Sequence, residues 1–284
     1  MLRIAVQSKG RLYEETMELL AEAGIKLVAV KRTLLVPSRN FPVELLFLRD
    51  DDIPESVEMG TADIGIVGLN EVLEKQKQVE IIRPLGFSKC RLSLAIPKKA
   101  EYRQLNWFNG KKIATSYPNI LQKFLREKGI TAKIHTISGS VEIAPGIGLA
   151  DAIFDIVSSG GTLVSNNLNE VETVLNSEAV LIAGKQPLDA EKQEILDELL
   201  FRIEAVKAAD SKKYILMNVP KACIDEVLAL LPGIKSPTVL PLAQDGWCSV
   251  HAVVAETHVW EIIGGLKAAG AEGILVLDIE KMVP

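Results

Sequence analysis

The chain has 284 residues, 48% of them hydrophobic, which gives room for two or three cored domains and excludes a disordered protein. The formal net charge of −5 argues against a nucleic-acid partner. No apolar run approaches the roughly 18 residues needed to cross a bilayer, so no membrane association is expected. Three cysteines and three histidines lie outside any metal-ligand spacing, which predicts a reduced, cytoplasmic setting without structural zinc.

Before residue 90, short predicted strands alternate with predicted helices. The opening strand, Arg3–Gln7, turns polar at its end, so it has no apolar core of a secretion signal. The helix Arg11–Ala23 places apolar residues on one face and stops at Gly24. The next predicted elements are strand Val43–Leu48, helix Ile53–Met59 and strand Asp63–Val67.

A second set of predicted elements begins at Cys90. Its strands are Arg91–Ile96, Lys112–Thr115, Lys133–Ile137 and Ala152–Val157, and its helices are Asn119–Lys128 and Ala190–Ala208. Alternating strands and helices with short connections predict an α/β protein with parallel sheets, whose ligands bind outside the carboxyl ends of the strands. The residues that fall at such ends are Lys9, Arg49, Gly68, Ser116 and Ser158.

Beyond residue 210 the predicted order is β-α-β-β-α-β, which is the order of ferredoxin-like domains. The strands are predicted at Tyr214–Val219, Thr238–Leu242, Ser249–Ala255 and Gly273–Ile279, with helices at Lys221–Leu231 and Val259–Ala269. This region holds no cluster of candidate catalytic side chains. It is therefore expected to be a regulatory module or a passive oligomerisation module, because the fold alone implies no function.

The segment Gly139–Leu163, GSVEIAPGIGLADAIFDIVSSGGTL, is the most informative about function. A predicted buried strand runs into a loop of small residues, in which glycines and hydroxyls present N–H and O–H donors to a phosphate. The loop residues are Ser158, Ser159, Gly160, Gly161 and Thr162. Carboxylates repel phosphate, so Glu142, Asp151 and Asp155 are expected to bind sugar hydroxyls or Mg²⁺. Together these features predict a ribose 5-phosphate ligand.

The same segment is also compatible with a strand, an ordinary glycine-rich turn and solvated aspartates. The joint occurrence of acids, strand and small-residue loop favours the ligand-binding interpretation. Neither the Gly-Lys-Ser/Thr of a Walker A loop nor the G-x-G-x-x-G of a Rossmann fold is present, so a nucleotide would be held in another way.

Positive charge at an anion site must be local, because the net charge of the chain is negative. Four cations lie in the N-terminal part, near predicted strand or turn ends where a cleft could gather them: Lys9, Arg11, Arg32 and Arg49. Any one of them alone is more often a solvated surface residue.

Five blocks, in order along the chain, resemble the ATP phosphoribosyltransferase family, the first enzymes of histidine biosynthesis. Gly139–Leu163 is similar to that family's signature for 5-phosphoribosyl diphosphate (PRPP). The other blocks are Arg3–Leu12, Leu46–Pro54, Gly60–Gly68 and Thr115–Asn119. The residues after about 210 resemble the regulatory domain of the family's long form.

The resemblance implies a two-lobed catalytic region of the periplasmic-binding-protein type II kind, followed by a ferredoxin-like (ACT-like) regulatory domain. The implied boundaries are 1–89 with 180–210 for the first catalytic domain, 90–179 for the PRPP-binding domain and 211–284 for the regulatory domain. The implied reaction is attack of adenine N1 of ATP on C1 of PRPP, with release of pyrophosphate and Mg²⁺ as cofactor. L-histidine is the implied feedback inhibitor, and the implied assembly is a homo-oligomer, a dimer or a hexamer.

On this resemblance, candidate residues are assigned by ligand. The PRPP set is Glu142 (near ribose or metal), Asp151, Asp155, Ser158, Ser159, Gly160, Gly161 and Thr162. Arg49 and Arg32 are assigned to catalysis at the phosphate groups, and Lys9, Arg11 and Asp63 to ATP, although Asp63 also suits a turn cap. The histidine set is Asn218, Ser236 and Thr238, and the metal ligands are left unassigned.

Two other functions share parts of this pattern. A solute-binding protein would have the same two lobes, but such proteins are exported and no secretion signal is predicted. An amino-acid-responsive regulator would bind ligand without reacting, and the phosphate loop with its carboxylates disfavours it.

Overall fold

The structure, a computed structural model, describes residues 1–28, 33–231 and 236–283. These residues form two compact units: the first comprises Met1–Glu18 and Ile25–Leu196, and the second comprises the remainder of the described chain. Every helix within the described ranges is too short or too polar to cross a membrane. The first unit contains two β-sheets and the second contains one.

The first sheet has six strands, numbered in chain order with those of the other sheets. They are β1 (Leu2–Gln7), β2 (Leu35–Pro37), β3 (Val43–Leu48), β4 (Ile64–Gly68), β5 (Val79–Pro84) and β11 (Ala179–Gly184), in the spatial order β2-β3-β1-β4-β11-β5. The helices of this part are α1 (Arg11–Glu22), α2 (Ile53–Glu58) and α3 (Leu69–Lys75). β1 is parallel to β3 and β4, whereas β2 is antiparallel to β3 and β11 is antiparallel to both of its neighbours.

The second sheet has five strands. They are β6 (Cys90–Pro97), β7 (Lys112–Thr115), β8 (Lys133–Thr136), β9 (Ala152–Val157) and β10 (Leu168–Ser177), in the spatial order β10-β6-β9-β7-β8. Its helices are α4 (Pro118–Glu127) and α5 (Gly161–Ser165). β7 is parallel to β8 and β9, while β6 is antiparallel to β9 and β10.

Central strands of both sheets are apolar along nearly their whole length, which is the pattern expected of strands covered on both faces. In the first sheet, Ile64 and Ile66 of β4 are buried beside β1. In the second sheet, Phe154 of β9 packs with Phe108 and the apolar face of α4. Burial of these side chains fixes the register of the strands and therefore the places where they end.

The second unit is built on one antiparallel sheet, β12 (Lys212–Pro220), β13 (Thr238–Pro241), β14 (Trp247–Ala255) and β15 (Glu272–Asp278), in the order β13-β14-β12-β15. α7 (Ile224–Leu230) and α8 (Glu256–Ala268) pack on one face of this sheet, against alternate residues such as Met217 and Val250. The long helix α6 (Ala190–Ala209) begins in the first unit and ends in the second.

The predicted α/β class is confirmed, and the predicted strands and helices are found with ends that differ by a few residues. The prediction of parallel sheets was wrong, because β6 and β11 run antiparallel to the strands beside them. The helix predicted for Lys221–Leu231 is divided into a 3₁₀ turn, Lys221–Cys223, and α7. Six elements were not predicted: β2, α3, β5, α5, β10 and β11.

Candidate active site

The predicted phosphate loop follows directly from the carboxyl end of β9. Gly160 adopts φ +82° and ψ 0°, a left-handed conformation that strongly favours glycine, and α5 begins at the next residue. Within the described part of the chain, no backbone acceptor takes the N–H of Thr162 or Leu163. Ser158, Ser159 and Thr162 are exposed. The loop therefore offers free N–H and O–H donors to an anion.

Asp155 and Glu142 lie beside this loop. Asp155 is on β9, and Glu142 is in the 3₁₀ turn Val141–Ile143, which contacts β9. The pKa of Asp155 is raised to about 6, mainly by burial and to a smaller extent by the Glu142 carboxylate, against the opposing effect of the Ile156 N–H. A carboxylate removed from water in this way gains from a ligand hydroxyl that donates to it.

Asp151 is not brought to the loop. It precedes β9, so about 20 Å of extended strand separates it from Ser158. Its Oδ2 accepts the backbone N–H of Lys112 at 2.8 Å, and its Oδ1 lies 3.9 Å from Lys111 Nζ. The geometry gives Asp151 a structural role at the opposite edge of the sheet and no contact with a ligand at the loop.

A polar network that the sequence analysis missed supports the phosphate loop. Arg91, at the start of β6, makes a bidentate contact with Glu170 of β10, with both N···O distances at 2.5 Å. Its Nη1 also donates to the Ser158 carbonyl at 3.2 Å. Glu170 accepts the Ser93 hydroxyl at 2.7 Å, and Arg91 lowers the pKa of Glu170. Scattered single charges in two strands gave no sequence pattern by which this network could have been found.

The first sheet brings predicted cations to the carboxyl ends of its strands. Lys9 follows β1 and is exposed. Arg11 Nη2 donates to the Lys89 carbonyl at 2.8 Å, in the connection to the second sheet. Arg49 follows β3; its side chain is 79% exposed and makes one ion pair, with Asp51 at 3.5 Å. Arg32 lies outside the described residues.

Asp63 lies at the other edge of the first sheet, just before β4. Its Oδ2 accepts the backbone N–H of Arg3 at 2.8 Å, and its Oδ1 accepts Lys192 Nζ at 2.8 Å. One carboxylate oxygen thus holds the amino end of β1 beside that of β4, and the other is paired with Lys192 in the first turn of α6. The structure does not bring Asp63 to the cations that follow β1 and β3.

Side chains from both sheets meet where β4 and β7 end. Glu71 at the start of α3 is only 6% exposed and accepts Asn70 Nδ2 at 3.1 Å. Asn70 Nδ2 also lies 3.4 Å from the hydroxyl of Tyr117, which follows β7. Burial raises the pKa of Glu71 to about 7, helped by Asp50 and Asp51, while the Tyr117 hydroxyl and Lys75 oppose the shift. The seven residues of α3 were too few to be recognised as a helix, so this cluster was missed.

The same region ties the two sheets together. Glu74 of α3 is 5% exposed, and its carboxylate accepts the backbone N–H groups of Asn119 and Ile120 at 3.0 Å each. These N–H groups belong to the first turn of α4, where no partner exists within the helix itself. A carboxylate of the first sheet's helix thus caps a helix of the second sheet.

Metal binding was tested against the described side chains. No group of three or more His, Cys, Asp or Glu residues among them lies close enough together to hold a metal ion. Glu142 and Asp155 are close enough for the Glu142 carboxylate to raise the pKa of Asp155. Such a pair suits Mg²⁺ that keeps several waters and is bound mainly through the phosphates of a substrate.

In the second unit, two of the predicted histidine-site residues lie on strands that flank β14. Asn218 of β12 is paired with Ser249, and Thr238 of β13 is paired with His251, two residues along the same strand. These residues alternate with Met217 and Val250, which face α7 and α8, so they lie on the other face of the sheet. Ser236 is exposed, and its hydroxyl lies 3.3 Å from the Pro237 carbonyl.

His251 is central to this face and was not predicted. Its Nδ1 lies 2.7 Å from the Tyr214 hydroxyl, and its Nε2 lies 2.8 Å from the Ser249 hydroxyl. The result is a row of polar groups across three strands, with Asn218 and Thr238 at its sides. The alternation of β14 could have shown that Ser249 and His251 share a face, but not which residues stand opposite them.

Two family descriptions match the chain. Residues 49–205 match ATP phosphoribosyltransferase, and residues 209–281 match the HisG C-terminal domain. Curated relatives match at full length. The ATP phosphoribosyltransferase of Bacteroides fragilis is 69% identical over 283 residues, covering 100% of both chains. That of Cytophaga hutchinsonii is 60% identical over 282 residues, covering 99% of this chain and 98% of its own.

Solved structures agree with these matches. An ATP phosphoribosyl transferase (HisG:HisZ) complex from Thermotoga maritima aligns with a TM-score of 0.61 at 29% identity, covering 72% of this chain and 99% of that chain. The substrate binding protein of an amino acid ABC transporter aligns with a TM-score of 0.50 at 11% identity, covering 73% and 93%. At that identity the likeness shows the fold alone, which confirms the periplasmic-binding-protein-like prediction.

The described phosphate loop lies within the matched range 49–205, and the polar sheet face of the second unit lies within 209–281. Identities of 60–69% over the whole length exclude a chance likeness. The chain therefore belongs to the ATP phosphoribosyltransferase family of pentosyltransferase enzymes, which catalyse the first step of histidine biosynthesis.

Proposed function

We propose that this chain joins adenine N1 of ATP to C1 of PRPP, releases pyrophosphate and is inhibited by histidine. The observation that carries the proposal is the loop after β9, where free N–H donors stand beside the buried carboxyl of Asp155. A phosphate needs the first kind of partner, and a sugar hydroxyl needs the second.

PRPP is assigned to the second sheet. The loop Ser158–Thr162 donates to the 5-phosphate, and Asp155 accepts from the ribose hydroxyls, with Glu142 on their other side. Asp151 is left out because its carboxylate is held at the opposite edge of the sheet. The alternative of an ordinary turn is disfavoured because the backbone N–H groups of Thr162 and Leu163, just beyond the left-handed Gly160, have no backbone acceptor among the described residues.

ATP and the leaving pyrophosphate are assigned to the cations at the first sheet. Adenine N1 already carries a lone pair, so the reaction needs no strong base to create its nucleophile. Catalysis then depends on holding N1 in line with C1 and on neutralising charge that builds on pyrophosphate. Arg49 suits the second task because it is exposed and, among the described residues, its ion-pair partner is Asp51, at 3.5 Å. Lys9 and Arg11 remain assigned to ATP, whereas Asp63 is left out.

Mg²⁺ is proposed to arrive with the substrate phosphates. When bound it would neutralise the diphosphate of PRPP, and Glu142 and Asp155 are the carboxylates placed to hold it through its waters. Binding of Mg²⁺ by protein side chains alone is disfavoured, because the described residues contain no cluster of three suitable ligands.

Histidine is proposed to bind on the polar face of the second unit's sheet. A free amino acid needs an acceptor for its ammonium group, donors for its carboxylate and polar partners for its imidazole. Asn218, Thr238 and Ser236 supply an amide and two hydroxyls, and the row of Ser249, His251 and Tyr214 lies between the two strands concerned. We also propose a homo-oligomer, which mass measurement in solution would test.

A spectrophotometric assay with ATP, PRPP and Mg²⁺, run with and without histidine, tests the proposal. Turnover that needs both substrates is expected, with inhibition that saturating ATP does not overcome. A solute-binding protein or a regulator would show no turnover. Absence of turnover in the wild-type chain at any Mg²⁺ concentration would reject the catalytic proposal.

The histidine site has its own test. The double variant Ser236→Ala/Thr238→Val removes two hydroxyls at one side of the polar face, so we expect a weaker response to histidine with turnover unchanged. Thr61→Val/Thr131→Val, which removes two exposed hydroxyls in the first unit away from the proposed PRPP loop, is the matched control. Inhibition of undiminished potency in the first variant would remove these two residues from the site.

A further inference from the structure

The network behind the phosphate loop is not part of the site assigned above. Arg91 is opposite Val157 of β9, and Ser93 is opposite Asp155, so both β6 residues share the sheet face of the proposed ribose acceptor. Glu170 reaches the same face from β10 on the other side of β6. Arg91 also lines one surface pocket together with Ser159, Gly160 and Gly161.

The contact between Arg91 and the loop has a geometric consequence. A trans peptide group is planar, and its C=O and N–H point in opposite directions. The Ser158 carbonyl faces Arg91 Nη1 at 3.2 Å, so the N–H of Ser159, in the same peptide group, is turned away from Arg91. Fixing this one peptide group sets the direction in which the chain enters the left-handed Gly160.

Glu170 fixes the guanidinium in turn. Two parallel N–H···O contacts hold its plane, a geometry that a single contact cannot impose. The register of β10 against β6 shifts between Glu170 and Glu172, which marks a bulge. Bulges re-aim side chains, and this one lies next to the residue that reaches Arg91. Ser93 and Thr173 hydroxyls at 2.7 and 3.3 Å hold the same carboxylate oxygen.

We propose that Arg91, held by Glu170, is a positioning residue for PRPP that orients the Ser158–Ser159 peptide group and so aims the phosphate loop at the 5-phosphate. This inference rests on the PRPP site of the proposed function. The Arg91 side chain is 33% exposed, so the ion pair adds little to global stability, and its main effect is on the loop.

PRPP affinity, measured by calorimetry on the full chain, is the primary readout, with KM values for PRPP and ATP as the second. Arg91→Gln removes the bidentate contact with Glu170 and the contact with the Ser158 carbonyl. We therefore expect about a tenfold loss of PRPP affinity, with the KM for ATP and the melting temperature little changed. Glu170→Gln keeps the shape but weakens the clamp and is expected to give a smaller loss. Arg91→Lys should not rescue, because one ammonium group cannot hold Glu170 in two places and reach Ser158.

A charge exchange separates positioning from plain stabilisation. In Arg91→Glu/Glu170→Arg the ion pair can re-form, but the guanidinium then originates from β10 and no longer lies beside the Ser158 carbonyl. We expect the melting temperature of the wild type with PRPP affinity still reduced. Glu172→Gln, on the same strand but outside the network, is the matched control and is expected to bind PRPP as the wild type does.

Two results would overturn the inference. One is wild-type PRPP affinity in Arg91→Gln; the other is full recovery of affinity in the charge exchange, which would make the pair merely stabilising. Failure of the proposed function is distinguishable from both, because it shows in the wild type as PRPP binding without turnover or as no PRPP binding at all. PRPP affinity lost in Arg91→Gln while wild-type turnover is absent would support the positioning role and reject the reaction.

Discussion

The two sheets of the first unit differ in how they hold the candidate ligand-binding residues at their strand ends. At the second sheet, the polar groups are held in place: Asp155 is half-buried, Gly160 has a left-handed conformation, and Arg91, paired with Glu170, contacts the Ser158 carbonyl. At the first sheet, Lys9 and Arg49 are exposed. The buried groups there are acids, Glu71 and Glu74, that join the sheets to each other.

This difference indicates a division of labour. A preformed site loses little side-chain entropy when it binds its ligand. That suits recognition of the ribose 5-phosphate, the part of PRPP that the proposed reaction leaves unchanged. Exposed cations can follow a group whose charge changes during the reaction. Variants at the first sheet are therefore expected to affect turnover, and variants at the second sheet are expected to affect affinity for PRPP.

The largest effect is expected at Arg49. Arg49→Ala removes the donor that we propose for departing pyrophosphate, and loss of one such donor lowers kcat by about 10²–10³. KM should change less, and Arg49→Lys should recover little because an ammonium group cannot make bidentate contact with a phosphate. Steady-state kinetics on purified chain measures both constants.

Arg103→Ala removes an exposed arginine of the second sheet's periphery and is the control for the loss of one positive charge. If Arg49→Ala keeps wild-type turnover, Arg49 is a solvated surface residue and the comparison between the two sheets fails.

The next effect is expected at the phosphate loop. Gly160→Val places a β-branched residue at φ +82°, and Thr162→Ala removes a hydroxyl, so donors should move out of line with the 5-phosphate. Losing one or two charge-assisted contacts corresponds to about a 10²-fold loss of PRPP affinity. Calorimetry measures it, and circular dichroism shows whether the fold is retained.

Gly110 has nearly the same left-handed φ, +74°, at a turn remote from the loop. Gly110→Val/Thr131→Ala therefore repeats the backbone penalty without touching the proposed site, and its PRPP affinity should be that of the wild type. Equal losses in both double variants would mean that global strain, and not the loop, sets the affinity.

The sequence predicted the phosphate-loop residues of the second sheet better than the exposed cations of the first sheet, for a physical reason. The loop, its glycine and Asp155 are contiguous with β9, so a local pattern contains them. Arg91 and Glu170 are 79 residues apart, and only the antiparallel pairing of β6 and β10 brings them together. Two of the strands that the pattern missed, β10 and β11, follow one another without a helix and so break the strand–helix alternation.

Asp63 and Asp151 are residues that the sequence analysis assigned to ligands and that the structure does not bring to the proposed sites. Each lies just before a buried strand, and the pattern could not tell the amino end of that strand from the end where ligands bind. The structure places both carboxylates on backbone N–H groups of the neighbouring strand, Arg3 and Lys112. Their recurrence at equivalent places in two sheets is explained by strand pairing alone. The exposed arginines carry no local pattern, so their assignment depended on the resemblance.

The half-buried carboxylate of Asp155 should affect the pH dependence of kcat/KM for PRPP. Asp155 must be ionised to accept from ribose hydroxyls, and its pKa is raised to about 6, so kcat/KM for PRPP should fall about tenfold per pH unit below that value. Asp155→Asn should lack this limb. The phosphates of PRPP ionise in a similar range for both proteins, so the ratio of the two profiles isolates Asp155. A constant ratio from pH 5 to 8 would contradict the assignment.

The smallest effect on catalysis, but a measurable one on stability, is expected at Glu71. Its pKa is raised from 4.5 to about 7 in the folded chain, so the protonated form is favoured by folding. That stabilisation is fully present below about pH 4.5 and is lost as the pH rises through about 7. Glu71→Gln mimics the protonated acid, and it should be more stable than the wild type at pH 8 by at most about 3 kcal/mol.

The advantage of Glu71→Gln should shrink towards zero near pH 5, which thermal unfolding at a series of pH values would show. Glu127→Gln, an exposed carboxylate at the end of α4, is the control and should follow the wild type throughout. The amide can still accept from Asn70, so packing between the sheets is preserved. A variant less stable than the wild type at pH 8 would mean that ionised Glu71 is stabilised by its neighbours, and that burial does not raise its pKa in the folded chain.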